Sequence, residues 1–143
     1  MATRIQVVID CAAPGTLAEF WSAVLGYQLQ PPPTGYQSWE EWARQAGIPE
    51  DQWDAYSAAV DPEGVGPRLF FQRVPEPKVT KNRVHLDVNV SGRDTPPDER
   101  RARIAAEVER VLLLGATRLR EVDEPTGHCV VLADPEGNEF CLQ

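Results

Sequence analysis

Asp61-Pro-Glu-Gly64 recurs unchanged as Asp134-Pro-Glu-Gly137, and each copy runs into an apolar stretch, Leu69-Phe70-Phe71 or Phe140-Cys141-Leu142. Upstream of each copy, a helix-like segment closes on Leu-Gly, at Leu25-Gly26 and at Leu114-Gly115. Self-similarity of this kind outranks local propensity as a fold signal. Working outward, a strand pattern precedes each helix: Ile5–Asp10 in the first half, and Val84–Val90, strictly alternating, in the second. Strand-like runs follow each Leu-Gly, over 27–30, 57–60 and 68–74, then over 116–122, 128–133 and 139–142. Both halves therefore read strand, helix, strand, strand, strand. The expected class is α+β, built from two βαβββ modules.

The first helix is expected to start at Thr16, with Glu19 completing a capping box that satisfies orphan amides. Leu17, Phe20, Val24 and Leu25 form one apolar face, and Gly26 supplies the left-handed stop. The second takes Asp94 or Thr95 as cap, with Pro96 in the first turn, where a missing N–H costs nothing. Its buried stripe is Ile104, Val108, Val111 and Leu112, Glu99 and Arg103 form a surface pair, and Gly115 ends it. Pro75–Asn82 reads as a linker. The expected organisation is a single domain, 1–143, with module 1 over 1–74 and module 2 over 83–143. Module 1 carries an insertion at about 31–56, which holds Trp39, Trp42 and Trp53. These rings either pack the insertion onto its module or wall a ligand pocket.

Composition narrows the partners. With 143 residues, 42% hydrophobic and 25% charged, the chain suits one compact domain with a real core, or two small modules sharing one. A net charge of −8 opposes nucleic acid, whose phosphates demand a basic stripe. Arg100, Arg101 and Arg103 alternate with acids and read as a solvated helix face. No apolar run reaches the roughly 20 residues that span a bilayer, so no membrane partner is expected. Met1–Ile5 lacks a signal peptide's apolar region, and a cytoplasmic location is the expectation. Three cysteines without paired spacing fit a reducing compartment, and no CxxC suggests structural zinc.

Phe20-Trp21…Leu25-Gly26-Tyr27, Asn82-Arg-Val-His-Leu-Asp-Val88 and the closing Asp134-Pro-Glu-Gly-Asn-Glu-Phe-Cys-Leu142 resemble the vicinal oxygen chelate superfamily, its glyoxalase-like domain subgroup in particular. That superfamily includes glyoxalase I, extradiol dioxygenases and bleomycin-resistance proteins. The resemblance implies a glyoxalase-like fold in which the modules form a shared cavity, and commonly a homodimer. In metal-binding members four strand residues hold one divalent cation. Carried over by motif, their positions fall on Gln6, on or near Gln72, on His85 and on Cys141. Cys141 stands where such a member usually has a glutamate.

Strand parity supports the placement, because side chains two apart share a face. Gln6, Val8 and Asp10 form one set, Phe70, Gln72 and Val74 a second. His85, Asp87 and Asn89 form a third, with Val84, Leu86, Val88 and Val90 turned toward helices. Glu139, Cys141 and Gln143 complete the lining. Two amides, an imidazole and a thiol are a poor set for a hard cation, which favours carboxylates. The expectation is no cofactor, with one divalent metal ion held by those four residues as the alternative.

His85 is the leading candidate for catalysis, as a base available near neutral pH, against a satisfied buried histidine. Cys141 is a nucleophile candidate if His85 lowers its pKa, against a small buried hydrophobe. Expected ligand contacts are Gln6, Val8, Asp10, Phe70, Gln72 and Asp87, joined by Trp39 and Trp42. Asp10 and Asp87 are expected to pair with Arg68 or Arg73, or to orient a base. His128 reads as a strand-edge residue, and Cys11 and Cys129 as core or edge. The functional expectation is binding of a small organic molecule without an obligatory metal. The alternatives are a metal-dependent lyase, isomerase or dioxygenase, and a non-catalytic accessory module presenting the tryptophans.

Overall fold

The computed structural model describes all 143 residues, which divide into two compact units, Met1–Pro77 and Lys78–Gln143. The boundary falls inside the Pro75–Asn82 stretch. Unit 1 contains β1 (Gln6–Cys11), α1 (Pro14–Leu25), β2 (Gln28–Leu29), α2 (Trp39–Gln45), a 3₁₀ turn at Glu50–Gln52, β3 (Tyr56–Val60) and β4 (Arg68–Arg73). Unit 2 contains β5 (Leu86–Val88), α3 (Pro97–Leu113), β6 (Thr117–Glu124), β7 (Gly127–Ala133) and β8 (Glu139–Leu142). The sheet orders are β1-β4-β3-β2 and β5-β8-β7-β6, the same wiring twice. Each unit pairs its first and last strands in parallel, and its remaining neighbours are antiparallel. The α+β, twice-repeated βαβββ architecture is thus present.

Period-two alternation decides which face of each sheet meets a helix. In β4, Leu69 and Phe71 are buried with Leu17 and Trp21 of α1. In β8, Phe140 and Leu142 are buried with Ile104, Val108 and Val111 of α3. Each such fully buried side chain contributes about 1.5–3 kcal/mol through removal of apolar surface from water. The opposite faces carry the polar members of the strands.

The repeated tetrapeptides are turns closed by their aspartates. Asp61 accepts from the backbone N–H groups of Glu63, Val65 and Gly66, at 2.9, 3.0 and 2.7 Å. Those bonds, that of Gly66 foremost, hold its carboxyl below the usual range. Asp134, only 2% exposed, accepts from the N–H groups of Glu136 and Asn138, at 2.9 and 3.0 Å. Gly64 and Gly137 take φ of 69° and 85°, the left-handed region that glycine enters freely. At Gly66 the constraint is space instead: a Cβ there would stand 1.9 Å from the Tyr27 hydroxyl.

Several local expectations are corrected. Helix α1 begins two residues before Thr16, with Pro14 in its first turn and Ala13 at the cap, so no capping box forms. Helix α3 begins at Pro97, with Pro96 as its cap rather than Asp94 or Thr95. A proline's fixed φ pre-organises a helix start without any side-chain cap. The strand expected over 84–90 is regular only over Leu86–Val88, and Val84 is 77% exposed instead of facing a helix. Within the insertion, Ser38 caps α2 by accepting from the Glu41 N–H at 3.1 Å. No helix is long and apolar enough to cross a membrane.

Candidate functional site

Parallel pairing of β5 with β8 sets Asp87 opposite Cys141. Nε2 of His85, just before β5, lies 3.2 Å from Asp87 Oδ1. The imidazole, carboxylate and thiol ligand atoms all lie within 4.8 Å of one another. They line a cleft of about 500 Å³ confined to unit 2, together with Asn89, Cys129 and Gln143. His85 and Asp87 are half-exposed, whereas Cys141 forms the buried floor.

The floor is a thiol rather than a thiolate. Burial, then the neighbouring Cys129 and Asp87, push the Cys141 pKa up to about 12. A nucleophilic cysteine requires the opposite shift, from an adjacent cation or a helix N-terminus. The nucleophile expectation for Cys141 is therefore corrected: Asp87 stands on it instead of a cation. His85 is better placed. A proton on Nε2 is favoured by the adjacent Asp87 oxygen, leaving Nδ1 as the nitrogen with the free lone pair.

In unit 1 the expected residues share one open face, but two of them do not meet. The β1–β4 register pairs Gln6 with Arg68, Val8 with Phe70 and Asp10 with Gln72. Gln6 and Gln72 are thus offset by four residues along the ladder, about 13 Å at the rise of a strand. Gln72 Nε2 donates to Asp10 Oδ1 at 2.7 Å, and Arg68 Nη1 donates to Gln6 Oε1 at 2.6 Å. The four-residue ligand set expected by motif is corrected on this point, because Gln6 and Gln72 serve opposite ends of the sheet.

For Asp10 and Asp87 the arginine pairing is corrected, whereas the alternative of an aspartate set against a base matches the position of Asp87. Arg73 binds Asp54 at 2.7 Å, Arg68 binds amides, and Asp87 faces His85. Trp39 and Trp42 pack edge-to-face at 5.5 Å, and Trp39 Nε1 donates to the Gln30 carbonyl at 2.8 Å. Those contacts support the packing role of the insertion, with Trp39 still 39% exposed.

His128 belongs to a network that the strand-edge reading misses. Its Nδ1 lies 2.9 Å from Arg101 Nη1 and 3.0 Å from Asp123 Oδ1, while Nε2 lies 3.6 Å from Glu121. Arg101 and then His128 hold the Asp123 carboxyl below its usual range. The alternation Glu121, Asp123 before a turn and His128 was the available signal, since it sets all three on one face of the β6–β7 hairpin. Arg101 already supplies the cation that this cluster calls for, so its role is to tie α3 to the hairpin. On the closing strand, Glu139 is engaged by the Lys81 ammonium, which lowers its pKa, and stands outside the His85 group.

A repeated βαβββ unit with a parallel first and last strand in each copy defines a glyoxalase-like fold. The family model for the glyoxalase-like domain matches residues 6–143, and the chain belongs to that family. A comparison with the curated proteins finds no match. Among solved structures, a glyoxalase/bleomycin resistance/dioxygenase family enzyme from Burkholderia phytofirmans is 15% identical, with a TM-score of 0.62 over 96% of this chain and 94% of that one. Fosfomycin resistance protein FosX from Mesorhizobium loti is 10% identical, with a TM-score of 0.61 over 100% and 91%. A mutant of FosX from Listeria monocytogenes, complexed with Mn(II) and 1S,2S-dihydroxypropylphosphonic acid, is 11% identical, with a TM-score of 0.62 over 100% and 90%. At these identities the likeness bears on the fold alone.

Proposed function

We propose that the protein binds a small polar organic molecule in the unit 2 cleft without an obligatory hard metal ion, with His85 as proton acceptor and Asp87 orienting it. The observation that carries this reading is the donor set around His85: one imidazole, one carboxylate and a thiol whose pKa burial pushes up to about 12. Mn²⁺ and Mg²⁺ favour oxygen ligands, and a buried thiol at the usual glutamate position offers none. Those residues do not fit the hard cation held by the Listeria FosX relative. In the cleft, Nδ1 of His85 can take a proton from a bound hydroxyl or acidified C–H, and Asp87 then stabilises the imidazolium.

The test is an NMR titration with small hydroxy acids and diols in the presence of excess EDTA. Saturable shifts are expected at His85, Asp87 and Gln143, weakened at least tenfold in His85→Ala. Binding that appears only after Mn²⁺ is restored would overturn the reading.

A second reading has one specific observation in its favour. An imidazole, a carboxylate and a thiol within 4.8 Å could converge on a thiol-tolerant ion such as Zn²⁺. His85, Asp87 and Cys141 would hold it, and its chemistry would be Lewis-acid polarisation of a substrate oxygen, as a lyase or isomerase requires; a dioxygenase would need a redox-active ion in its place. One equivalent of zinc in protein purified without added metal, absent from His85→Ala, would favour this reading over the first.

A further inference from the structure

Arg68 sits on the open face of the unit 1 sheet with an unusual set of partners. Its Nε donates to Gln30 Oε1 at 2.6 Å and its Nη1 to Gln6 Oε1 at 2.6 Å. Both acceptors are neutral amides. The other arginines of this unit with a structural pairing differ: Arg73 has Asp54 at 2.7 Å, and Arg44 lies over the Trp53 ring at 5.4 Å. In a chain with 22 acidic and 14 basic residues, a strand arginine without a carboxylate is not short of candidates nearby in sequence. Asp10, on the same face, is taken by Gln72.

The two amides also fix the guanidinium's position. A guanidinium carries five N–H donors in a planar fork, and two are committed, which leaves three without a protein acceptor. The Gln30 backbone is itself held, since its main-chain carbonyl accepts from Trp39 Nε1 at 2.8 Å. Beneath the fork lies an aromatic shelf. The Arg68 guanidinium carbon is 4.9 Å from the Phe70 ring centre, and Phe70 stacks on Tyr56 at 5.6 Å with 16° between planes. Tyr56 is 60% exposed, so the shelf has an open edge. Burial lowers the Arg68 pKa, with no acid contributing, as expected of a partly desolvated cation that lacks a counter-charge.

We infer that Arg68, braced by Gln6 and Gln30 beside the Phe70–Tyr56 shelf, is a binding site for the carboxylate of a small flat organic acid. With Nε–H committed to Gln30, the Nη1/Nη2 end of the fork is the part left to offer a carboxylate two parallel N–H···O bonds, geometry that a lysine cannot reproduce. The shelf supplies a ring-sized apolar surface, for which stacked or edge-on aromatic contact is favourable. The neutral brace matters in its own right: an acid in place of Gln6 or Gln30 would satisfy the charge internally and repel the ligand. This site lies within unit 1 and does not depend on the reading of the His85 cleft.

The experiment compares benzoate with its neutral isostere benzamide, using the full chain and following the Arg68 Nε–H and Tyr56 ring signals by NMR. Benzoate is expected to give saturable shifts at both, and benzamide to bind at least tenfold more weakly. Arg68→Lys keeps the charge and loses the fork, and should weaken benzoate at least fivefold, while Arg68→Gln should abolish saturation. Gln6→Glu, which leaves Arg68 intact and supplies the missing counter-charge, should weaken benzoate at least tenfold. His85→Ala should leave benzoate binding unchanged, which separates failure here from failure of the cleft. Equal affinity for benzoate and benzamide would overturn the inference, as would a Gln6→Glu variant of native thermal stability that binds benzoate like the parent chain.

Discussion

Cys141 holds its proton because burial disfavours the thiolate, and Cys129 and Asp87 add to that effect. Linkage then fixes the pH dependence. A folded pKa of about 12 against 9.0 for the ordinary thiol means that the contribution to stability is complete below about pH 9. It is lost as pH rises from there through the folded value. Between about pH 9 and 10.5, the urea midpoint of the parent chain should therefore fall more steeply than that of Cys141→Ala. In the same range, iodoacetamide should leave Cys141 unmodified in folded protein, and mass spectrometry of tryptic peptides would show this. Rapid alkylation of Cys141 at pH 8 would show that the protonated-floor account is wrong.

A second prediction follows from the same residue. Cys141→Glu places a carboxylate beside Asp87 and His85, creating a like-charge pair that a hard cation relieves. Electron paramagnetic resonance of free Mn²⁺ should show saturable binding in Cys141→Glu and none in the parent. The importance of Cys141 is readable in the sequence, because the closing motif marks it as a glutamate position. Its partner is only half readable: alternation puts Asp87 on the right face, but the β5–β8 register that brings the two together depends on tertiary pairing. The offset of Gln72 from Gln6 is hidden for the same reason, since parity is readable in the sequence and the β1–β4 register is not.

At the scale of elements, the two Asp-Pro-Glu-Gly turns are equal in sequence and unequal in burial. Asp134 is 2% exposed, and its removal leaves the part-buried N–H groups of Glu136 and Asn138 without their acceptor. Asp134→Ala should cost about 3 kcal/mol, read as a drop in the urea midpoint, because these donors lose their acceptor. Asp61→Ala should cost clearly less, since its loop is open to solvent and water can replace the carboxylate. Equal losses would mean that the turns matter through backbone propensity rather than through their hydrogen bonds. Gly66→Ala in the first loop should destabilise by about 1–3 kcal/mol through overpacking against Tyr27, and Tyr27→Phe should recover part of that loss. The turn chemistry was legible in the repeated tetrapeptide. The clash at Gly66 was not, because it needs the position of a tyrosine 39 residues earlier in the chain. Helix starts were misread where proline, not a polar cap, sets the boundary.

For the whole molecule, the doubled pattern was the most legible feature, because strand-helix-strand order survives even where single boundaries shift by two residues. Charge is legible in the same direct way, and it has a consequence for stability. With 22 acids against 14 bases, the net −8 makes the folded chain repel itself. Salt weakens that repulsion, shortening the screening length from about 30 Å at 0.01 M to about 8 Å at 0.15 M. It also weakens ion pairs such as Arg103–Glu99 and Arg118–Glu121, but exposed pairs of this type contribute about 0–1 kcal/mol each. Repulsion summed over the surface should outweigh them, so the melting temperature should rise by about 2 °C between 10 and 150 mM NaCl, near 1 kcal/mol or less for a domain of this size. Choline chloride should give the same rise, because screening depends on ionic strength and not on the cation. A fall in melting temperature with salt would mean that the arginine–carboxylate pairs stabilise the fold more than the excess of acids destabilises it. A rise seen only with one cation would point to a bound ion instead of a screened field.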